Sequence, residues 1–582
     1  MLTSISKLFL ALAAIYGIVL LVLVVEYPKN PKRNTEVFPV QTPPNSTDFD
    51  NTYLAYHVLK QLDQYTPITI PDEEEREIIA KNHQKPYFGI IPEEDYCERH
   101  RSYFVNNAPA LMNEMVFLTD HKTDSYLRTH IFKAIGVDIH PQIGLHQTKK
   151  EKETEIHRIR PEVNIFYDDT GLFMYRDVGK HFACLSQMSN HIPGHTVLYR
   201  KDFVVKSVSE YAKKFEDRPQ CFTVDSYYPN SYLLTDKEQC EAFFKKFNSP
   251  KYLELKAKKN IVYMKKIGAG VHAGKGVFPV DLEEEQDIKR LYKNGSLCGK
   301  ITDNFIMQDF IANPLLINGH KFDFRVYLLV ASTNPVIAYY GDGYLRVSLQ
   351  MYDAASTDKT VFLTNPQLTD SMFEIAKRNG SYHGMTEKEL TELQSWTFDQ
   401  LQDYLMETGK INDPNWLDNK LRPEFQKAMI HLVRMSQNNF AKSSLVYGLF
   451  GIDFMLDDDL NLWFIEANAK PGLTAKLHKK RLLIKKAFSD HFEIVFNLLK
   501  SRLKRVIMFV NKIVQEDQAI KLMNGQVFIN NIEEKRREFE LITRNYFEPE
   551  YEVSAENMFV KIIDENYQGE ERYSGFLKKE CF

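Results

Sequence analysis

The sequence predicts an α+β protein, a core of mixed β-sheets with flanking helices, and three stretches carry that prediction. Residues 448–473, GLFGIDFMLDDDLNLWFIEANAKPGL, read as two strands joined by a polar turn. Residues 304–332, NFIMQDFIANPLLINGHKFDFRVYLLVAS, read as two strands across an Asn-Pro turn. From about residue 163 onward, short β-rich runs alternate with segments of helical periodicity.

Each stretch sets charge inside an apolar pattern. Asp453 lies within the run Leu449–Leu456, and the run Leu462–Ile465 delivers Glu466 and Asn468. A hairpin would place these three together. A carboxylate in an apolar strand is costly to bury without electrostatic compensation, which Mg²⁺ held by oxygen ligands and substrate phosphates would supply. An ordinary hairpin with its acids in solvent is the competing reading. In the second stretch, Lys321, Asp323 and Arg325 alternate, so period two puts them on one strand face. The strand runs on into FRVYLLV, which implies burial, and buried charges need partners. That favours a phosphate clamp over a surface salt-bridge ladder. Arg346, in GYLRVSL, would supply a second cation.

Elsewhere the chain is less specific. YRKDFVVKSVSEYAKKF predicts an amphipathic helix opening on a basic stretch. IVYMKK predicts a strand over 261–266, followed by GAGVHAGKGVF, whose glycines allow backbone N–H groups to approach phosphates. The GxxxxGK[ST] spacing of a P-loop is missing. Residues 372–440 predict a helical packing subdomain. Residues 470–512 hold twelve lysines and arginines against two acids, a field that attracts a polyanion. Base-stacking aromatics are sparse there, which favours an acidic protein over nucleic acid as partner.

The chain has 582 residues, 43% hydrophobic and 26% charged, and a net charge of −4 that says little about partners. Its six cysteines, Cys97, Cys184, Cys221, Cys240, Cys298 and Cys581, show no CxxC spacing. The expectation is neither a disulfide scaffold nor a zinc site, but a reducing compartment. Residues 8–25 are an uncharged apolar run, expected to be an uncleaved membrane anchor. Lys29, Lys32 and Arg33 after it place the rest of the chain in the cytosol by charge bias. Three N-x-[ST] triplets, at Asn45, Asn294 and Asn379, count for the opposite side. Residues 26–50 read as a tether and 51–162 as an N-terminal region of no legible role. Residues 501–582 read as a charged helical extension.

The motifs, taken in order, resemble those of the tubulin–tyrosine ligase-like family of ATP-grasp amino-acid ligases, over residues 163–500. NHIPG with YRKD (190–202), MKK with GKGVF, QDFIANPLLINGHKFDFRVYLLV, FLTN (362–365) and LFGIDFML…WFIEANAKPGL carry the resemblance. It implies an ATP-grasp-type core using ATP and Mg²⁺. Lys201, Lys265, Gly274, Lys275 and Gly276 would meet the phosphates, and Gln308, Asp309, Phe310 and Ile311 the adenine. Lys321, Asp323, Arg325 and Arg346 would hold the transferred phosphoryl group, Thr364 and Asn365 the acceptor region, and Asp453, Glu466 and Asn468 the metal. The implied reaction adds a free amino acid to carboxylates of an acidic protein. Tubulin tails docked on 470–512 are the expected acceptor, at microtubules or cilia. The wording KFDFRVYLLV is closer to the glutamate-adding branch. A glycylase, or a catalytically weakened membrane-anchored microtubule binder, is the alternative. Lys266 in place of the usual proline, Phe362 in place of histidine and Ala312 in place of an acid depart from the pattern.

Overall fold

Alternation in HKFDFRVYLLVAST makes the strand His320–Thr333, on which the structure is built. In the computed structural model it pairs antiparallel with Val336–Met351 on one side and Val446–Leu456 on the other. Its even-numbered Phe322, Phe324, Val326, Leu328 and Val330 enter one hydrophobic core with residues of the helices Phe398–Glu407 and Arg422–Ser436. Its odd-numbered Tyr327, Leu329 and Ala331 enter a second core with the long helix His478–Gln515. By the same alternation Lys321, Asp323 and Arg325 belong to this second face, at the end where its apolar lining stops.

The structure describes residues 47–64, 93–113, 117–119, 162–167, 175–177, 180–181, 183–257, 263–267, 276–300, 305–356, 358–362, 366–382, 384–469 and 478–581, with isolated positions 68, 69, 71, 73, 364, 471 and 472. Residues 49–582 form one compact unit; residues 1–48 form another, almost wholly outside the described residues. Among the described residues the main sheet has ten strands. Beyond Val446–Leu456 it continues in parallel through Met188–Asn190, Ile165–Tyr167 and Phe117–Thr119. A smaller antiparallel sheet runs Ser231–Leu233, Phe305–Asp309, Tyr263–Ile267, Val277–Pro279. Residues of the helices Lys237–Phe247 and Leu282–Tyr292 join Tyr263 and Met307 of this sheet in an aromatic-rich core. Each of those helices opens on an aspartate cap, Asp236 or Asp281. In the helical subdomain, Thr386 with Glu389 and Thr397 with Gln400 form capping boxes.

Several expectations change. The six cysteines are paired: Cys97 with Cys184, Cys221 with Cys581 and Cys240 with Cys298. The partners stand 58 to 360 residues apart and meet only through the tertiary fold, so local spacing could not reveal them. The inference of a reducing compartment from cysteine spacing is therefore withdrawn. Residues 8–25 lie outside the described residues. Among the described residues no helix is long and apolar enough to cross a membrane. The expected single-pass, membrane-anchored placement with a cytosolic catalytic domain is corrected accordingly.

The segment after 501 is not simply helical. It holds a hairpin, Ile520–Met523 with Gln526–Ile529, and the strand Phe559–Asp564, which pairs with residues 337–341 at the edge of the main sheet. The basic stretch 470–512 also differs from a solvated docking face. Arg502 is fully buried and donates to the carbonyls of Leu185 and Ser444. Arg505 donates to the carbonyls of Ile542, Arg544 and Tyr546. Lys504 pairs with Glu548 and Glu550. The helix packs one face into the second core, and these cations satisfy neighbouring polar groups. Among the described residues exposed positive charge is left at Lys479 and Arg481 at the helix start and at Lys486 and Lys512, which pair with Asp490 and Glu538.

Candidate active site

Four neighbouring strands set charges side by side. Arg346 is the cross-strand partner of Asp323, Arg325 of Asp453, and Asp453 of Glu466. Arg346 Nε and Nη2 donate to Asp323 Oδ1 and Oδ2 at 2.6 and 2.7 Å. Arg325 Nε and Nη2 donate to Asp453 Oδ1 and Oδ2 at 2.5 and 2.9 Å. Arg346 Nη2 also reaches Asp453 Oδ2 at 2.7 Å. The Thr364 hydroxyl donates to Asp323 Oδ2. Two-pronged guanidinium–carboxylate pairs fix geometry as well as charge. Asp453 is 0% exposed, and burial alone would drive its carboxyl up; the two guanidiniums hold it below the usual carboxylate range. Burial also opposes charge on Arg325, which Asp453 restores.

Gly451 makes this arrangement possible. A Cβ there would lie 3.0 Å from Arg325 Cδ and 3.2 Å from its Nε, so the bare backbone gives the guanidinium room beside Asp453. In the NHIPG turn, Gly194 has φ +89° and presses on the Asn439 carbonyl, a position closed to any side chain. That motif residue is thus a packing device.

The hairpin brings together the three residues expected to hold metal. Asp453 and Glu466 are opposite one another, and Asn468 Nδ2 donates to Asp453 Oδ2 at 3.3 Å. Asp453 is the innermost of them, its oxygens already accepting from three side chains. Glu466 is half-buried and faces Lys201, Nζ to Oε2 being 3.5 Å. Lys321 Nζ donates to the Phe362 carbonyl at 2.7 Å. Burial pushes its amine down to about 8, with Asp323 and Arg346 acting in opposite directions. Phe362, where the resemblance expects histidine, is buried edge-on against Phe310, ring centroids 5.5 Å apart.

On the smaller sheet, Gln308 Nε2 donates to Ser231 Oγ, and the Asp309 carboxylate is held by Lys246 at 2.7 Å and by Asn230. Phe310 and Ile311 follow the strand and are half-buried. Gly276 is a buried turn residue. Gly274, Lys275, Asn365 and the side chain of Lys265 lie outside the described residues.

Sequence reasoning missed two cations. Lys266 is buried, and its amine falls to about 8, first through burial and then through Lys201; Glu466 opposes the shift and Lys321 adds to it. Tyr263 enters the small-sheet core, so alternation from Tyr263 turns Lys266 to the opposite face, and that signal was available in YMKKI. Lys480, at the start of the long helix, lies with Nζ 4.2 Å from the Tyr344 ring centroid. Its amine is lowered chiefly by burial, with Arg346 and Arg325 adding to the shift. Nothing local distinguished it within a run of lysines.

The model of the tubulin-tyrosine ligase family matches residues 180–503, which contain this cluster. An inactive polyglycylase of Homo sapiens is 27% identical over 323 residues, 53% of this chain and 44% of the relative. A tubulin monoglycylase of Homo sapiens is 27% identical over 273 residues, 47% of this chain and 33% of the relative. A probable tubulin polyglutamylase of Caenorhabditis elegans is 28% identical over 301 residues, 51% of this chain and 64% of the relative. The chain thus spans less than two thirds of each of these relatives. Glycylase and glutamylase names occur at similar identity, so the comparison does not support the expected glutamylase branch over the other. More than half of the chain lies within the family match, and on that ground it belongs to the tubulin-tyrosine ligase family.

Proposed function

We propose that this protein is an ATP-dependent ligase that joins the amine of a free amino acid to a side-chain carboxylate of an acidic protein. One observation carries the reading. Five cations, Lys201, Lys266, Lys321, Arg325 and Arg346, gather around three carboxylates, Asp323, Asp453 and Glu466. A partly buried site with surplus positive charge, in which Lys201 and Lys321 add to the burial that lowers the Lys266 amine, is suited to a polyanion such as a triphosphate.

In the proposed reaction the acceptor carboxylate attacks the γ-phosphorus of ATP and ADP departs. The amino-acid amine then attacks the acyl carbon, phosphate leaves and an amide remains. Lys201 and Lys266, with Gly274–Gly276, hold the phosphate tail, while Lys265, the resemblance's phosphate lysine, alternates to the opposite strand face; residues 308–311 border the adenine. Arg325 and Arg346 turn from Asp453 toward the transferred phosphoryl oxygens, where fixed cations act most strongly. Lys321 is aimed from the Phe362 carbonyl, and Thr364 fixes Asp323, which stays paired with Arg346 as that guanidinium leaves Asp453. Thr364 and Asn365 border the acceptor.

A hard divalent ion fits the donor chemistry here. Glu466 offers a half-exposed carboxylate, and Asn468, its amide nitrogen engaged by Asp453, offers its oxygen. Asp453 would join them once a guanidinium leaves it. Mg²⁺ bound there would neutralise charge on the phosphates.

Glutamate is proposed as the amino acid on the wording of KFDFRVYLLV. Glycine is the second reading, because several matched relatives carry glycylase names. Tubulin is the first acceptor to test, since names of matched relatives include it. Purified full-length protein is incubated with tubulin or a polyglutamate-rich acceptor, Mg·ATP, and either amino acid, and intact masses are measured. Glutamyl increments that require ATP are expected; glycyl increments would transfer the reading to the second amino acid. No increment with either, on either acceptor, would refute the ligase.

A further inference from the structure

We propose that the catalytic unit matures in an oxidising, glycosylating compartment, with all six cysteines locked in disulfides and N-linked glycans on Asn294 and Asn379. The pairing is complete: three disulfides form and no cysteine is left free. Their Cα–Cα separations of 5.5 to 5.7 Å lie in the ordinary range for disulfides. Six cysteines scattered over nearly 500 positions would not fall into three such pairs, none left over, unless the fold were built around the bonds. In a reducing compartment such bonds do not persist.

Their placement is structural. Cys97–Cys184 ties the helix Glu93–Asn113 to the segment entering the strand Met188–Asn190. Cys240–Cys298 closes the small lobe, from the helix Lys237–Phe247 to the turn beyond the helix Leu282–Tyr292. Cys221–Cys581 pins the segment after the strand Phe559–Asp564, where Arg218 also donates to the Glu580 carbonyl. Five of the six cysteines are buried. This arrangement fits permanent staples and not a redox-active thiol pair.

Two N-x-S triplets give an independent observation. Asn294-Gly295-Ser296 occupies a turn just past a helix end, with Asn294 exposed at φ +57° and Gly295 at φ +95°. Asn379-Gly380-Ser381 has the same setting: Asn379 is the exposed last residue of the helix Pro366–Asn379, and Gly380 has φ +80°. Both asparagines are on the surface, in turns a modifying enzyme can reach, and both are away from the cluster in sequence. Asn294 stands four residues from Cys298, so the same small-lobe turn carries a staple and an acceptor asparagine.

The consequence concerns the substrate. A ligase folded in that compartment meets exported acidic proteins rather than cytosolic ones, so of the two acceptors above the polyglutamate-rich one stands for its substrate and tubulin only for the shared acidic chemistry; this step alone rests on the ligase reading above. The full chain, tagged at its C-terminus, is expressed in cultured animal cells and denatured in a maleimide before and after reduction. No cysteine should be alkylated before reduction, and six after. Peptide N-glycosidase should increase the mobility, with Asn294→Gln and Asn379→Gln each removing one glycan step. Alkylation of six thiols before reduction overturns the proposal, and so does mobility unchanged by the glycosidase. Neither readout depends on catalysis, so a failed mass-increment assay with oxidised, glycosylated protein would refute only the ligase.

Discussion

Asp453→Asn tests whether the charge cluster is organised around this one carboxylate. The substitution keeps the side-chain shape and removes the charge that two guanidiniums share, at 2.5, 2.7 and 2.9 Å. Arg346 retains Asp323, but Arg325 is left buried with no carboxylate within ion-pair distance among the described residues. A unit-charge pair near 4 Å is worth about 4 kcal/mol at an effective dielectric near 20, and breaking one side of a buried pair typically costs about 3–5 kcal/mol. A loss of about 3–5 kcal/mol is therefore expected in urea unfolding. Trp463, two residues along the neighbouring strand from Ile465 and hydrogen-bonded to Asp457, is a local fluorescence probe. Glu466→Gln is the control. Glu466 is half-buried and pairs with a half-buried Lys201, so its stability change should stay within about 1 kcal/mol while the ligase activity disappears. If Asp453→Asn unfolds within about 1 kcal/mol of the parent, the carboxylate is not holding the arginines, and the proposed exchange of Asp453 for phosphate fails with it.

Gly451→Ala should force Arg325 aside, costing about 1–3 kcal/mol of stability through overpacking and about tenfold or more in kcat/KM, a barrier change of roughly 1.4 kcal/mol; parent-like kinetics would show that the guanidinium is not held in place there. Lys266 and Lys321 titrate near 8 in the folded chain, against 10.5 for an ordinary lysine. The unfolded chain therefore binds more protons between those values, and their contribution to stability rises with pH across that window, the penalty being complete below about 8. Bound phosphates should recharge both amines, so calorimetry at pH above 8 in buffers of different ionisation heat should record proton uptake on ATP binding; no uptake refutes the placement of these amines. Reducing the Cys240–Cys298 bond reopens a 58-residue separation, worth about 4 kcal/mol by loop closure. Amide exchange across 237–298 should accelerate in reductant or in the Cys240→Ser/Cys298→Ser variant, while exchange in the main-sheet strand His320–Thr333 is little changed.

Much of the site was legible because strands write their geometry in period two. Alternation alone put Lys321, Asp323 and Arg325 on one face, and the hairpin reading put Asp453 opposite Glu466. It could also have separated Lys266 from Lys265 had Tyr263 been used as the anchor. The basic run 470–512 misled because counting charge does not say which helix face is buried, and Arg502 and Arg505 turn inward. The helical extension misled for a related reason: Phe559–Asp564 becomes a strand by pairing with an edge more than two hundred residues earlier.

The sequence by itself determined the α+β class, the strands that carry the charges and the family motifs. These depend on local periodicity and on residues adjacent in the chain. Only the tertiary structure decided which arginine binds which aspartate, that Lys266 and Lys480 join the cluster, and that six scattered cysteines are three bonds. Those are distances between residues far apart in sequence, set by packing the sheets and helices together, and spacing along the chain does not encode them.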